Sequence, residues 1–285
     1  MKFGFVTCVK LGLGCLEEIY GNGGKVELVI TLPDDFATKK SGRVWLDDFC
    51  SIHGTKLLKT RSVNDQAAIN AVREADIDWL FIIGWSQIAR SEILKAPHRG
   101  VLGMHPTLLP QGRGRAPIPW AIIKGLKKTG VTLFKLEEAV DNGALVDQVE
   151  IELADDETAT TLYERASIAH RTLLRRVWPQ LVDDEIALRE QDESQATEWP
   201  QRRPEDGRID LGEPCSAIDR LVRGVTRPYP GSFVDFEGRR FRIWAGRCLP
   251  KSVNFDPAVQ IRSGTLRFHC ADGIFESNDW EEETP

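Results

Sequence analysis

The chain has 285 residues, enough for one large domain and a smaller one, each able to bury an apolar core. Its 37 Lys and Arg against 43 Asp and Glu leave a net charge of -6, which excludes the surface-wide basic footprint of a non-specific nucleic-acid binder and requires any anionic partner to meet a local basic patch. No apolar run approaches the ~20 residues of a transmembrane helix, nothing near Met1 has signal-peptide order, and six cysteines without a CxxC pair offer neither a zinc spacing nor a disulfide framework. The expectation is a cytoplasmic protein, away from membranes, with buried free thiols.

Short apolar runs alternate with amphipathic stretches through the first half. FGFVTC (3–8), KVELVITL (25–32), KLLKT (56–60), DWLFIIGW (78–85) and GVLGM (100–104) read as strands. The continuous apolar character of the first, second and fourth implies burial on both faces, as in a parallel sheet. Helical spacing covers 43–53, 64–76 and 86–96, with Asn64 as N-cap of the second. After a loop of arginines and glycines, APIPWAIIKGL predicts a short helix with Pro117 and Pro119 in its first turn. Strands at 130–136 and 144–152 flank the connection EEAVDNG, and a helix over about 158–182 lines up Leu162, Ala166, Ala169, Leu173, Val177 and Leu181 on one face.

From Arg189 to Pro204 the composition turns polar, which reads as a connecting arm. Beyond it, PCSAIDRLVRGV predicts a helix, hairpins turn at Glu237–Gly238 and Asp272–Gly273, and the tail NDWEEETP is expected to fray. The pattern is α/β: a doubly wound, mostly parallel sheet with a smaller C-terminal α+β domain. The expected division is 1–188, a linker at 189–206, and 207–285.

Gly12 and Gly14 follow the first strand, but a dinucleotide fingerprint needs a third glycine where Glu17 stands, so these glycines are read as a tight strand-to-helix turn. His105 ends a strand at the carboxyl edge of the sheet, where open α/β folds bind ligands. An isolated histidine is usually structural; here Pro106 and Pro110 stiffen the backbone, while Arg113, Arg115, Gly112 and Gly114 admit an anionic group. Asp141 alone would be an ordinary turn residue. Beside His105 it would raise the basicity of the imidazole and fix its tautomer, making an acid/base couple. Trp85, Ser86 and Gln87 end another strand; Ser86 is either a helix cap or part of a pocket wall for a flat heterocycle.

Taken together, HPTLLPQGRGRAPIPWAI followed by TGVTLFKLEEAVDNGALV resembles the formyltransferases that use 10-formyltetrahydrofolate. The likeness runs in element order from about residue 3 to 245, with its core at 100–150. RRPEDGRID and LVRGVTRPYPGSF are similar to the nucleotide-sugar N-formyltransferases of that family. The resemblance implies a formyltransferase-type Rossmann-like domain that moves a formyl group from 10-formyltetrahydrofolate to the primary amine of a nucleotide-linked amino sugar, without a metal. It implies folate contacts at Ile83, Gly84, Trp85, Ser86, Gln87, Leu136, Val140 and Asp141. Acceptor contacts are implied at Met104, Pro106, Thr107, Arg113, Gly114, Arg115, Pro117 and Trp120, and catalysis by His105 and Asp141. Related sugar enzymes are often dimers, which suggests a homodimer by analogy.

One departure stands out. Family members usually carry Asn two residues before the histidine, where its amide holds the oxyanion; this chain has Gly103. Losing such a donor costs ~3 kcal/mol, roughly a hundredfold in rate, and Gln87 is the substitute that its strand-end location suggests. The hydrolase domain of 10-formyltetrahydrofolate dehydrogenase also lacks that Asn, so water is an alternative acceptor. Two further alternatives are methionyl-tRNA and an inactive folate-binding protein. Against tRNA, the eleven Lys and Arg from Gly207 onward are matched by at least as many Asp and Glu.

Overall fold

The computed structural model describes residues 1–39, 42–251 and 259–283. The first half runs β1 (Phe3–Val6), α1 (Lys10–Gly21), β2 (Leu28–Thr31), α2 (Asp47–His53), β3 (Lys56–Lys59), α3 (Gln66–Glu74), β4 (Trp79–Ile82), α4 (Ser91–Leu94) and β5 (Gly100–His105). Then come β6 (Arg113–Gly114), α5 (Pro117–Ile123), β7 (Lys128–Lys135), β8 (Leu145–Glu152), α6 (Ala159–Val182) and β9 (Glu198–Trp199). The chain continues through α7 (Cys215–Val225), β10 (Ser232–Phe236), β11 (Arg239–Pro250), β12 (Val259–Arg262), β13 (Thr265–His269) and β14 (Gly273–Glu283).

A seven-stranded sheet has the order β3-β2-β1-β4-β5-β7-β8. Its first five strands are parallel and β7 joins β5 antiparallel, which is the doubly wound, mostly parallel α/β architecture expected. β1, β2 and β4 are buried at every position, as their unbroken apolar runs require. The α6 periodicity also holds: Ala166, Ala169, Leu173, Val177 and Leu181 are buried, and the Trp178 ring lies 4.5 Å from that of Phe3.

The C-terminal sheet is antiparallel, in the order β10-β11-β14-β13-β12, with Ile218 and Val222 of α7 in one core with Phe241, Leu266, Phe268 and Phe275. Its first hairpin turns at Glu237 and Gly238, both at positive φ (50° and 76°), the geometry that a two-residue hairpin turn demands. The chain divides into two compact units, and the division is not sequential. One is Met1–Gly114 with Gly130–Ile151 and Ala166–Glu198; the other is Arg115–Thr129 with Glu152–Arg165 and Trp199–Pro285.

Several expectations are corrected. Gly12 and Gly14 lie inside α1, a helix that the glycines mask in the sequence, and not in a turn. Asp65, not Asn64, occupies the N-cap of α3; the Asn64 side chain instead bridges the Ile88 carbonyl and the Arg90 N–H. Helix over 86–96 shrinks to Ser91–Leu94. Residues 278–283 of the tail do not fray but complete β14, where glutamates face arginines of β11: Arg239 binds Glu282 and Arg242 binds Glu283. Residues 284–285 lie outside the described residues. Finally, not all cysteines are free. Packing of α7 against β11 brings Cys215 and Cys248 to a Cα separation of 5.8 Å, and they form a disulfide.

One buried ion pair in the first unit has a measurable signature. Glu18 of α1 accepts from Arg175 Nε at 2.7 Å, from Arg171 Nε at 3.1 Å and from the Asn22 amide. These bonds, that to Arg175 foremost, hold its carboxyl at about 2 instead of 4.5. A depressed carboxylate stabilises the fold fully above its unfolded value and loses that contribution as pH falls towards the folded one. Thermal stability is therefore expected to drop between pH 4.5 and about 2, and Glu18→Gln should flatten the decline in that window, as melting curves against pH would record.

Candidate active site

The site is built where β5 ends. β5 lies between β4 and β7, and its last residue, His105, registers with Thr132 of β7. Thr132 is fully buried and works as a hub: its Oγ1 donates to the Thr107 carbonyl (2.7 Å) and accepts from Leu109 N (3.1 Å) and Gln148 Nε2 (2.9 Å). The loop after His105 is thereby folded back, and the Gly112 carbonyl accepts a hydrogen bond from His105 Nε2 at 2.8 Å.

Asp141 occupies the connection between β7 and β8 at a left-handed φ of 52°, a conformation that aspartate tolerates better than most residues. Its Oδ2 lies 3.5 Å from His105 Nδ1 and accepts from Gly114 N at 2.9 Å. The two side chains are only 9% and 16% exposed, so water screens the pair weakly. With Nε2 donating to a carbonyl, a bare Nδ1 would set its lone pair against the carboxylate. A proton on Nδ1 makes the contact attractive. Imidazole and carboxylate thus face each other across a contact that a single proton can bridge.

A second imidazole, His170 of α6, is buried and donates from Nδ1 to the Ala166 carbonyl at 2.7 Å. Burial pushes it down to about 4 against the pull of that bond, and the charge of His105 adds to the fall, so it stays neutral. Nothing in the local sequence singled it out.

The other predicted residues divide. Ile83 is buried, Gly84 is left-handed, and Trp85 packs on Cys8, Val9 and Leu32. Ser86 and Gln87 are exposed, and the Gln87 amide donates to the Arg61 carbonyl at 2.6 Å, a bond unrelated to the His105 pair. Leu136 fills the space at Gly103: a Cβ there would stand 2.6 Å from Leu136 Cδ2, so the Asn of other family members has no room unless that side chain moves. Val140 is half exposed; Met104, Pro106 and Pro117 are partly buried.

Arg113 is spent internally: its guanidinium binds Gln191 Oε1 and both oxygens of Glu193. Arg115 is exposed, and among the described residues its side chain has no hydrogen-bond or ion-pair partner. Trp120 donates from Nε1 to the Pro200 carbonyl and carries Arg202 over its ring at 4.7 Å. Three buried polar atoms in the predicted segments lack a partner within the protein: Trp85 Nε1, Thr107 Oγ1 and Asn142 Oδ1.

Comparison with known proteins defines the class. The family model for formyl transferase matches residues 15–177, and that for the formyl transferase C-terminal domain matches residues 202–283. The chain belongs to the formyltransferase family. Among solved structures, it is similar to the N-formyltransferase from Helicobacter canadensis in complex with folinic acid and dTDP-3-aminofucose, at 15% identity and a TM-score of 0.73, over 99% of this chain and 100% of that one. WlaRD, a sugar 3N-formyltransferase solved in the presence of dTDP and 5-N-formyl-THF, aligns at 13% identity and a TM-score of 0.71, over 97% of each chain. The methionyl-tRNA formyltransferase from Clostridium thermocellum aligns at 17% identity and a TM-score of 0.64, over 100% of each chain. Among the described residues no helix is long and apolar enough to cross a membrane.

Proposed function

We propose that the chain transfers the formyl group of 10-formyltetrahydrofolate to the primary amine of a nucleotide-linked amino sugar. The observation that carries this reading is the closed arrangement of His105 between the Gly112 carbonyl and the Asp141 carboxylate. In the reaction a C–N bond forms between the acceptor amine and the formyl carbon, the bond to the folate nitrogen breaks, and the amine proton ends on that nitrogen. His105 takes the proton from the amine or faces the developing negative charge; Asp141 orients the imidazole and helps return the proton. With glycine at 103, stabilisation of the oxyanion falls on the imidazolium.

The unpartnered atoms of Trp85, Thr107 and Asn142 suit a ligand that brings its own donors and acceptors, as a pterin does. A cavity of about 480 Å³ lies beside the β7–β8 connection, lined by Asn142 and Gly143 together with Glu137, Glu138 and Glu190, but by neither His105 nor Asp141. A small acceptor is favoured over tRNA because several arginines of the C-terminal sheet are engaged by its own carboxylates: Arg240 by Asp235, Arg239 by Glu282, and Arg247 and Arg267 by the one Glu276. The sugar and dTDP ligands of the similar structures point the same way.

Since Arg113 is committed to Glu193, Arg115 is the cation left to meet a diphosphate. Arg115→Ala is expected to raise the acceptor KM about ten- to a hundredfold, the worth of a charge-assisted hydrogen bond, with kcat little changed.

Gly103, standing where the family usually has Asn, leaves one second reading, hydrolysis of the formyl-folate by water. Incubating the protein with 10-formyltetrahydrofolate, alone and with UDP-, dTDP- and GDP-linked amino sugars, separates the two. The proposal expects loss of formyl-folate only with an amino sugar present; equal loss without one means hydrolysis, and no loss under any condition means a folate binder.

A further inference from the structure

The polar segment 189–197, a passive arm by composition, is bonded to both parts of the site. Leu145 and Arg189 exchange backbone hydrogen bonds at 2.7 and 2.9 Å, which lays the segment along the start of β8. Gln191, only 8% exposed, then uses its whole amide: Nε2 donates to the carbonyls of Asp141 and Gly143, both at 2.8 Å, and Oε1 accepts from Arg113 Nε (3.1 Å) and Nη2 (2.7 Å). Further on, Thr197 Oγ1 accepts from Gly112 N at 2.8 Å, Thr197 O accepts from Arg113 N at 2.9 Å, and Thr197 N donates to the Pro110 carbonyl.

We infer that residues 189–197 are a strap that sets the His105–Asp141 geometry, with Gln191 as its main positioning residue. The inference rests on reading that pair as the reacting groups. Two legs converge on it. Gly112 is held through its N–H by Thr197 while its carbonyl receives His105 Nε2. The Asp141 turn is held through two carbonyls by Gln191, while the Asp141 carboxylate receives the N–H of Gly114, the residue next to Arg113, which binds the same Gln191. Both members of the pair thus take their position from one segment that touches neither side chain.

The amide is chemically specific. Its two N–H groups and two carbonyl lone pairs are all satisfied, a saturation that no other side chain of this length reproduces. Glutamate keeps the acceptor for Arg113 but loses both donors and turns an anion towards two carbonyls. Asparagine is one methylene short. A displacement of about 1 Å in a reacting group costs about a hundredfold in rate, so small losses in the strap should be read out in kcat.

The test uses the full chain with an amino-sugar nucleotide from the panel above, comparing wild type, Gln191→Glu, Gln191→Ala, Thr197→Val and Asp141→Asn. Both Gln191 variants are expected to lose about a hundredfold in kcat with the KM for 10-formyltetrahydrofolate within about twofold. Thr197→Val acts on the other leg and should lose about tenfold. Circular dichroism confirms folding, and the imidazole nitrogen resonances of His105, read without substrate, are expected to move in Gln191→Glu. Unmoved resonances, or wild-type kcat in Gln191→Glu beside an inactive Asp141→Asn, overturn the strap alone. Undiminished turnover in Asp141→Asn overturns the reading of the pair, and the strap with it.

Discussion

Asp141→Asn is expected to lower kcat by about 10²- to 10⁴-fold, the range over which positioned proton transfer contributes, while the KM for formyl-folate changes little. The substitution is nearly isosteric, and its oxygen can still accept from Gly114 N, so the left-handed turn is kept. What changes is the partner of His105 Nδ1, 3.5 Å away. A carboxylate there rewards a proton on Nδ1. A neutral carboxamide whose oxygen stays on Gly114 N withdraws that reward, so the imidazole takes up positive charge less readily as the intermediate forms. Steady-state rates at saturating folate and acceptor measure the effect, and a rise in KM alone would speak for a binding role.

The second large effect concerns stability. Gly143→Ala should destabilise the fold by about 3 kcal/mol or more, because a Cβ at that position would stand 1.8 Å from the Lys135 carbonyl oxygen. The obstacle is backbone and not a mobile side-chain end. Lys135 cannot retreat, since its N–H donates to the Ala144 carbonyl across the same connection. In a chain of this size the loss should lower Tm by roughly 10 °C in differential scanning calorimetry. Turnover should fall as well, as the turn carries Asp141.

How far the sequence could lead depends on where the information lies. β1, β2 and β4 are legible because burial on both faces demands continuous apolar residues, and α6 because its buried face repeats every three to four positions. His105 and Asp141 stand out by their company, a rigid basic loop and a short turn, and the antiparallel pairing of β5 with β7 brings those two ends together.

Other features are invisible for physical reasons. The tail of β14 is held by charge pairs with β11, not by apolar alternation, so its string of glutamates reads as disorder until the arginines opposite are seen. α1 is concealed by Gly12 and Gly14, which lower helix propensity that packing then overrides. The Cys215–Cys248 disulfide depends on how α7 meets β11 and has no signature in spacing. Gln191 is the most instructive case: one glutamine in a run of Gln, Asp, Glu and Ser looks solvated, and only contacts from positions 48 to 78 residues away reveal that it is buried. Commitment of Arg113 to that residue is equally invisible in the sequence, where Arg113 and Arg115 look alike.

The account is tested most directly by following a carbon-labelled formyl group from 10-formyltetrahydrofolate in the presence of a nucleotide-linked amino sugar. It predicts the label on the sugar nitrogen as a formamide, formed by wild type and lost in Asp141→Asn. Label recovered as free formate at the same rate with and without the sugar would contradict it.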